Sequence, residues 1–291
     1  MKNEPLVSAI IPTYNSEKTL VKCLESINNQ TYRYIEVIVV DSYSEDGTVK
    51  VADSFGVKVA QTDWRLLGAR YIGFEKSNGD IILLLDSDQI LESTVIERAV
   101  KLFKNGYDMV CLEEYTFEPK GWIQKLFEAD RRLIHKFTDI HLDPLEGVLL
   151  ARVYRREILD KAFKNIPETL FPIVVAHDHA IIYYETYKSS QNVSIVSNAI
   201  WHIEPSSLWS LSKKNYRYGK STYELQKTGY YRELLKRKVR FRKHASENWK
   251  LGLQSHLLLI LKGIGYYAGY FLAKFGFLED SESKKVGNMR E

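Results

Sequence analysis

The chain has only two cysteines among its 291 residues, Cys23 and Cys111, and both lie in apolar stretches of the sequence. No Cys-x-x-Cys spacing is present, which argues against a disulfide framework and against a zinc ribbon. A low cysteine content of this kind is typical of proteins in a reducing compartment. We therefore expect a cytoplasmic location.

Long uncharged apolar runs are also missing. A membrane-spanning helix needs about 18 to 20 apolar residues in succession, and the nearest stretch, 251–277, is interrupted by His256, Lys262 and Lys274. The first residues contain a short apolar stretch that ends at Pro12, which does not predict a signal peptide. The composition, with 45% hydrophobic and 27% charged residues, is that of a globular protein.

Positive charge is concentrated in one segment, 211–250. This segment holds thirteen lysines and arginines against three glutamates, a net charge of +10, so the rest of the chain carries −6 of the total of +4. Six aromatic residues interleave with the basic residues between positions 213 and 243. A basic segment on an otherwise acidic protein indicates a local polyanionic partner, either lipid headgroups or a nucleic acid.

Apolar stretches alternate with helical patterns over the first 112 residues. The pattern predicts strands at 6–11, 35–40, 57–60, 81–85 and 108–112, and helices at 16–28, 48–55, 67–77 and 94–105. Ser16 is a suitable N-cap for the first helix. The alternation predicts an α/β fold with a mostly parallel sheet and helices on both faces. Ligands bind such sheets at the carboxyl ends of the strands, where Asp41 and Asp86 lie.

The pattern becomes less regular after residue 113. It predicts a helix at 120–136, a strand at 148–154 and a mostly helical stretch from 206 to about 277. We therefore expect an α/β domain at 1–205, divided into halves at about 1–112 and 113–205. A basic, aromatic helical extension follows at 206–291.

Two carboxylates come directly after the apolar run at 81–85, in the triplet Asp86-Ser87-Asp88. Carboxylate oxygens are the ligands that Mg²⁺ and Mn²⁺ prefer, together with phosphate oxygens and water. Such a cation neutralises the charge that develops on a departing phosphate. On its own the triplet is weak evidence, because a polar turn after a strand gives the same pattern.

Four blocks of the sequence, 8–15, 39–48, 68–73 and 79–88, match a known family in order and spacing. In them the chain resembles the family 2 inverting glycosyltransferases of the GT-A fold. The resemblance implies a Rossmann-like GT-A sheet, a UDP-, GDP- or dTDP-linked sugar donor, and Mn²⁺ or Mg²⁺ as cofactor. Ser42 and Tyr43 stand where the family usually has Asp and Gly, which leaves the donor base open.

The resemblance also implies roles for individual residues, with 1–112 as the nucleotide-sugar half and 113–205 as the acceptor half. Asp178 is the expected catalytic base, and Asp86, Asp88 and His202 are the expected metal ligands. The expected nucleotide-sugar contacts are Pro12, Thr13, Asn15, Asp41, Arg70, Asp86 and Ser87, and the expected acceptor-side residues are Gly147, His177 and Trp201.

The C-terminal extension suggests where the acceptor lies. Basic residues beside an apolar, aromatic helix suit a membrane surface, so we expect a peripheral protein on the inner face of the cell membrane that acts on a glycan or a lipid-linked acceptor in glycan or glycolipid assembly. The alternative for 251–277 is a helix packed on the catalytic domain.

Two other functions compete with sugar transfer. A nucleic-acid-binding protein could use the basic, aromatic segment, but it would leave Asp41, Arg70, Asp86 and Asp88 unexplained. We therefore expect no nucleic-acid partner. A sugar nucleotidyltransferase would carry an early glycine-rich phosphate loop, and 11–19 contains no glycine.

Overall fold

The structure, a computed structural model, describes residues 4–135, 142–145, 149–236 and 248–276. The strands are β1 (Val7–Thr13), β2 (Ile35–Asp41), β3 (Lys58–Gln61), β4 (Ile81–Leu84), β5 (Gln89–Leu91), β6 (Met109–Thr116), β7 (Ala151–Arg155) and β8 (Val193–His202). The α-helices are α1 (Glu17–Asn28), α2 (Thr48–Ser54), α3 (Leu66–Glu75), α4 (Val95–Lys104), α5 (Trp122–His135), α6 (Arg156–Asn165), α7 (Asp178–Ser189), α8 (Leu208–Thr228), α9 (Arg232–Leu235) and α10 (Trp249–Lys274).

The described strands form one mixed sheet in the order β3-β2-β1-β4-β7-β6-β8-β5. The pairs β3–β2, β2–β1, β1–β4 and β6–β8 are parallel. The pairs β4–β7, β7–β6 and β8–β5 are antiparallel. The predicted mixed, mostly parallel sheet is therefore confirmed, and the parallel strands β1, β2 and β4 end side by side at one edge.

Both faces of the central strands are buried. Because successive side chains of a strand point to opposite faces, Ile10 and Leu84 pack into one apolar cluster while Ile11 and Leu83 pack into another. This explains why these strands read as continuous apolar runs rather than as alternating ones.

The elements predicted through α4 agree with the structure to within two residues at each end. The three-residue strand β5 and the helix α6 were not predicted. β5 is too short to show a period, and α6 follows its strand without an intervening turn signal. Helix α1 begins after Ser16, as predicted, but the Ser16 side chain makes no capping hydrogen bond.

The described part of the C-terminal extension packs on the α/β domain. Helix α10 lies against α8 and α5, where Leu258 joins Ile123, Leu126 and Leu211 in a small apolar core. In addition, the Ser255 hydroxyl donates a hydrogen bond of 2.6 Å to Asp130. Residues 237–247, which hold five of the thirteen basic residues of the segment 211–250, lie outside the described residues.

The backbones of α8 and α10 approach each other closely at two glycines. A Cβ atom on Gly219 would lie 1.9 Å from the carbonyl oxygen of Tyr266, and one on Gly269 would lie 2.0 Å from that of Tyr216. No side chain fits at either position without moving backbone, so the two helices are held in one register.

We expect Gly269→Ala to destabilise the protein although alanine favours a helix by about 1 kcal/mol. The added methyl group must push α8 and α10 apart, and overpacking of this kind costs about 1–3 kcal/mol. Gly263→Ala on the same helix is the matched control, because its Cβ would meet no atom closer than 4.0 Å. Thermal unfolding measures the difference, and we expect the lower melting temperature for Gly269→Ala. Equal melting temperatures for the two variants would contradict the close approach of the helices.

Candidate functional site

The site begins at the carboxyl ends of β1 and β2, where Thr13 and Asp41 are paired in register. Asp41 is fully buried. Its carboxylate accepts hydrogen bonds from the Thr13 hydroxyl at 2.8 Å and from the hydroxyl and backbone N–H of Ser44 at 2.6 and 2.8 Å. Three of its roughly four acceptor positions are thus occupied, which fixes the carboxylate.

The loops after these strands are tied to each other. The backbone N–H of Asn15 donates to the Ser44 hydroxyl at 2.8 Å, and the Asn15 side chain accepts from the backbone of Glu45 at 2.9 Å. Asn15 and Tyr43 have positive φ angles of 51° and 54°, and Tyr43 is 58% exposed. Pro12 is buried inside β1 opposite Val40, so its predicted contact with the donor stays a prediction.

Asp86, Asp88 and His202 come together although they are far apart in the sequence. Their ligand atoms all lie within 4.8 Å of one another. The pairing of Gln89 with His202 between β5 and β8 brings the histidine to the acidic triplet, and its Nε2 lies 3.4 Å from Asp88 Oδ1. Ser87 lies beside them, with its hydroxyl 2.9 Å from that of Ser16.

These three residues fit a divalent cation. Two carboxylates and one imidazole suit Mn²⁺, and the carboxylates also suit Mg²⁺. His202 turns its other nitrogen, Nδ1, toward Glu204 Oε2 at 3.6 Å, and Nδ1 makes no hydrogen bond among the described residues. A carboxylate behind a histidine is the usual way to orient a metal ligand.

Arg70 joins Asp86 to the predicted base. Its side chain is fully buried, its Nε lies 2.6 Å from Asp178 Oδ2, and its Nη2 pairs with Asp86 Oδ1. The sequence did not indicate this bridge, because α3 and α7 lie more than 100 residues apart along the chain. The predicted contact of Arg70 with the donor stays a prediction, and its Nη1 has no hydrogen-bond partner among the described residues.

A second set of charges, most of them partly buried, continues from Asp86. Arg152 lies 2.9 Å from Asp86 and 2.8 Å from Glu114, and Arg131 lies 2.7 Å from Glu114 and also pairs with Glu204. We call the connected residues the ion-pair chain: Asp178, Arg70, Asp86, Arg152, Glu114, Arg131 and Glu204.

The charges of the ion-pair chain set the protonation of its members. Burial raises the pKa of Asp86, but Arg152 and Arg70 outweigh this effect and hold its pKa well below the usual value. Burial likewise raises the pKa of Glu114, and Arg152 and Arg131 reverse it to a net decrease. For His179, which contacts Arg152, burial and the two arginines lower the pKa to about 4. Asp86 and Glu114 are therefore ionised and His179 is neutral near pH 7.

Sequence reasoning missed Arg152, Glu114, Arg131 and Glu204. The sequence feature that could have indicated them is a charged residue inside or next to an apolar run, as for Arg152 in β7 and Glu114 in β6. Such residues more often face solvent.

Lys214 reaches the site from α8. Its Nζ lies 3.5 Å from Asp88 Oδ2. Burial acts to lower the pKa of Lys214, but Tyr218 and the acidic groups of Asp88 and Glu204 outweigh it, so the net effect raises that pKa. No pattern in the sequence predicts this position, because Lys214 belongs to the basic segment 211–250, which is expected to face a polyanion.

The predicted acceptor-side residues do not gather as closely. His177 precedes α7 with a φ angle of 69°, and its Nε2 lies 3.0 Å from the Thr222 hydroxyl of α8. Trp201 neighbours His202 in β8 and therefore points to the other face of the sheet. Gly147 lies outside the described residues. The roles of these three residues stay predictions.

Curated relatives match part of this chain. One is an "Undecaprenyl-phosphate 4-deoxy-4-formamido-L-arabinose transferase" of Aeromonas hydrophila subsp. hydrophila, 30% identical over 60% of this chain and 56% of the relative. Another is the "Glycosyltransferase AglE" of Haloferax volcanii, 36% identical over 43% of this chain and 45% of the relative. The chain thus spans about half the length of these two relatives.

Solved structures share the fold. A structure of S. aureus TarS 1-349 in complex with UDP-GlcNAc matches with a TM-score of 0.56 and 17% identity, covering 93% of this chain and 92% of that one. Glucosyl-3-phosphoglycerate synthase from Mycobacterium tuberculosis, in complex with Mn²⁺, UDP and glucosyl-3-phosphoglycerate, matches with a TM-score of 0.52 and 18% identity, covering 77% and 79%. The expected GT-A fold is thereby confirmed. The model of glycosyl transferase family 2 matches residues 8–163, which is more than half of the chain, and the chain accordingly belongs to that family.

Proposed function

We propose that this protein is a metal-dependent, inverting glycosyltransferase that moves a sugar from a UDP-, GDP- or dTDP-linked donor to an acceptor hydroxyl or a lipid phosphate. One observation carries the proposal. The cluster of Asp86, Asp88 and His202 lies at the carboxyl edge of the sheet, and Arg70 connects its Asp86 to Asp178. Family membership and the names of the relatives support the same reaction class.

Asp86, Asp88 and His202 would hold the divalent cation, Mn²⁺ or Mg²⁺. Bound there, the cation would neutralise the charge that the nucleoside diphosphate gains as it leaves. The Mn²⁺ and UDP named for the mycobacterial structure support this choice of cofactor.

Residues of this chain would bind the donor base and remove the proton from the acceptor. Asp41, fixed by Thr13 and Ser44, would accept a hydrogen bond from an N–H of the donor base. Asp178 would take the proton from the acceptor hydroxyl as general base, and the ion pair to Arg70 holds that carboxylate in one orientation. A single base on the acceptor side is what a one-step displacement with inversion requires.

The test is direct detection of transfer. The protein is incubated with nucleotide sugars, Mn²⁺ and polyprenyl phosphate or a lipid-linked glycan, and nucleoside diphosphate release and the anomeric configuration of the product are measured. Metal-dependent release with inverted configuration is expected. A product with retained configuration would overturn the proposed mechanism, and the absence of any release would overturn the function.

We also propose that the protein docks on the cytoplasmic face of a membrane through α10. One face of this helix is exposed and apolar. We call its residues, three or four positions apart, together with Phe275 directly after the helix, the α10 stripe: Trp249, Leu253, Leu257, Ile260, Ile264, Tyr267, Phe271 and Phe275. The opposite face is buried against the protein.

The α10 stripe suits a helix that lies in the membrane interface. By length and composition α10 could also cross a membrane. However, its buried face packs along α8 and α5, and a helix held in this way by its own domain offers lipid only its outer face. Residues 237–247, part of the basic segment 211–250, come shortly before α10 in the sequence, and lysines and arginines attract anionic headgroups. The lipid phosphate named for the Aeromonas relative supports an acceptor at that surface.

We expect the double variant Ile264→Glu/Phe271→Glu to lose binding to vesicles that contain anionic lipid. Both side chains are exposed on the α10 stripe, at 64% and 45%, and burying an apolar side chain of this size is worth about 1.5–3 kcal/mol, so the loss should be roughly a hundredfold or more. Tyr34→Glu, at a 60% exposed residue outside α10, is the control in vesicle co-sedimentation. Equal binding of wild type and double variant would exclude the stripe as the docking surface.

A further inference from the structure

Lys214 approaches the predicted metal site from a part of the chain that the family match does not cover. It belongs to α8, beyond the matched residues 8–163. Its Nζ lies 3.5 Å from Oδ2 of Asp88, while His202 lies 3.4 Å from Oδ1 of the same carboxylate. Lysine and histidine thus approach different oxygens of Asp88.

The position of Lys214 is fixed by the helix that carries it. Helix α8 begins at a capping box made by Ser207 and Ser210. Further along, its backbone is in close contact with α10 at Gly219. The lysine therefore projects from a rigid helix pair rather than from a loop.

The charge of Lys214 is matched less completely than that of the neighbouring arginines. Arg70 and Arg152 each pair with two carboxylates at 2.9 Å or less. Lys214 has one carboxylate partner among the described residues, at 3.5 Å. The ammonium group of Lys214 lies near Asp88 and Glu204 but has no short ion pair among the described residues, so it is suited to bind a further anion. Lysine binds phosphate as a point charge.

We propose that Lys214 binds a phosphate oxygen of the donor, so that the C-terminal extension completes the site for the leaving nucleoside diphosphate. This inference rests on the proposed function. It assigns to α8 a share in donor binding, since fixed positive charge near a departing phosphate stabilises the charge that develops there.

Binding measurements with Lys214→Met test the proposal without relying on turnover. Binding of Mn²⁺ alone is measured by electron paramagnetic resonance. In the presence of Mn²⁺, calorimetry then measures the affinity for the tightest binder among UDP, GDP and dTDP and, separately, for the corresponding nucleoside. We expect diphosphate affinity to fall about tenfold or more, nucleoside affinity to stay the same, and Mn²⁺ affinity to stay the same or rise, because a positive charge beside the cation is removed.

Two further variants separate charge from folding. Lys213→Met removes the same charge from the adjacent, exposed position and should bind all probes like the wild type, while Lys214→Arg should recover part of the diphosphate affinity. Unchanged diphosphate affinity in Lys214→Met, an equal loss for diphosphate and nucleoside, or a loss of Mn²⁺ affinity would overturn the proposal. Failure of the wild type to bind any of the three diphosphates would instead overturn the proposed function.

Discussion

Asp88→Ala is expected to abolish sugar transfer and to remove the dependence of donor binding on Mn²⁺. The substitution deletes one carboxylate of the three-residue cluster. It also removes one of the two acidic neighbours of His202 and the carboxylate that Lys214 approaches. Loss of electrostatic stabilisation at a leaving group costs about 10²–10³-fold in rate or more. Steady-state kinetics and calorimetric titration with Mn²⁺ and nucleotide measure both effects.

Asp80→Ala is the control for this experiment. Asp80 precedes the same strand, β4, at its opposite end, and its carboxylate accepts a hydrogen bond from the backbone of Leu6. Its loss should leave donor binding and turnover close to wild type. Asp88→Ala with normal metal-dependent binding would show that the cluster is a polar turn and not a cation site.

Asp178→Asn is expected to lose transfer by about 10²–10⁴-fold while donor binding is retained. An amide has nearly the shape of the carboxylate but cannot accept the proton of the acceptor hydroxyl. Donor binding should survive because Arg70 keeps its ion pair with Asp86. Turnover and nucleotide affinity are measured on the same preparation, together with the melting temperature, because a buried arginine loses one of its two partners.

Asp160→Asn is the matched control, since Asp160 is paired with Lys164 on the surface of α6 at 2.6 Å. Normal turnover in Asp178→Asn would remove this residue as the base. A parallel loss of donor affinity and turnover would assign Asp178 a positioning role, exerted through Arg70 on Asp86.

Local patterns in the sequence predicted the parts of the site that lie at strand ends. Strands β1, β2 and β4 are buried on both faces and therefore appear as apolar runs in the sequence. Asp41 and Asp86 could be predicted as site residues because they lie where the apolar runs of β2 and β4 end. The family resemblance further indicated His202, which lies more than 110 residues after Asp88 and meets it only through the pairing of β5 with β8.

The ion-pair chain could not be predicted in this way. Its contacts join β6, β7, α3, α5 and α7, and no spacing along the sequence reports such a meeting. A charged residue in a strand, such as Glu114 or Arg152, has the same local pattern whether it faces water or a buried partner.

The position of Lys214 could not be predicted from the sequence either, because it belongs to a segment that was characterised only by its net charge. The net charge of 211–250 indicated a basic surface, but the structure turns one of its lysines inward to Asp88. Composition describes a segment as a whole, whereas packing of α8 on α10 decides the direction of each side chain.

The central claim is that Asp86, Asp88 and His202 bind a cation together with a nucleotide sugar. Thermal unfolding with UDP-, GDP- and dTDP-sugars, each in Mn²⁺ and in EDTA, tests it most directly, because a ligand that binds only the folded state raises the melting temperature. We predict that at least one nucleotide sugar raises the melting temperature in Mn²⁺ and has little effect in EDTA. No shift with any of the three, or the same shift in EDTA, would contradict the account.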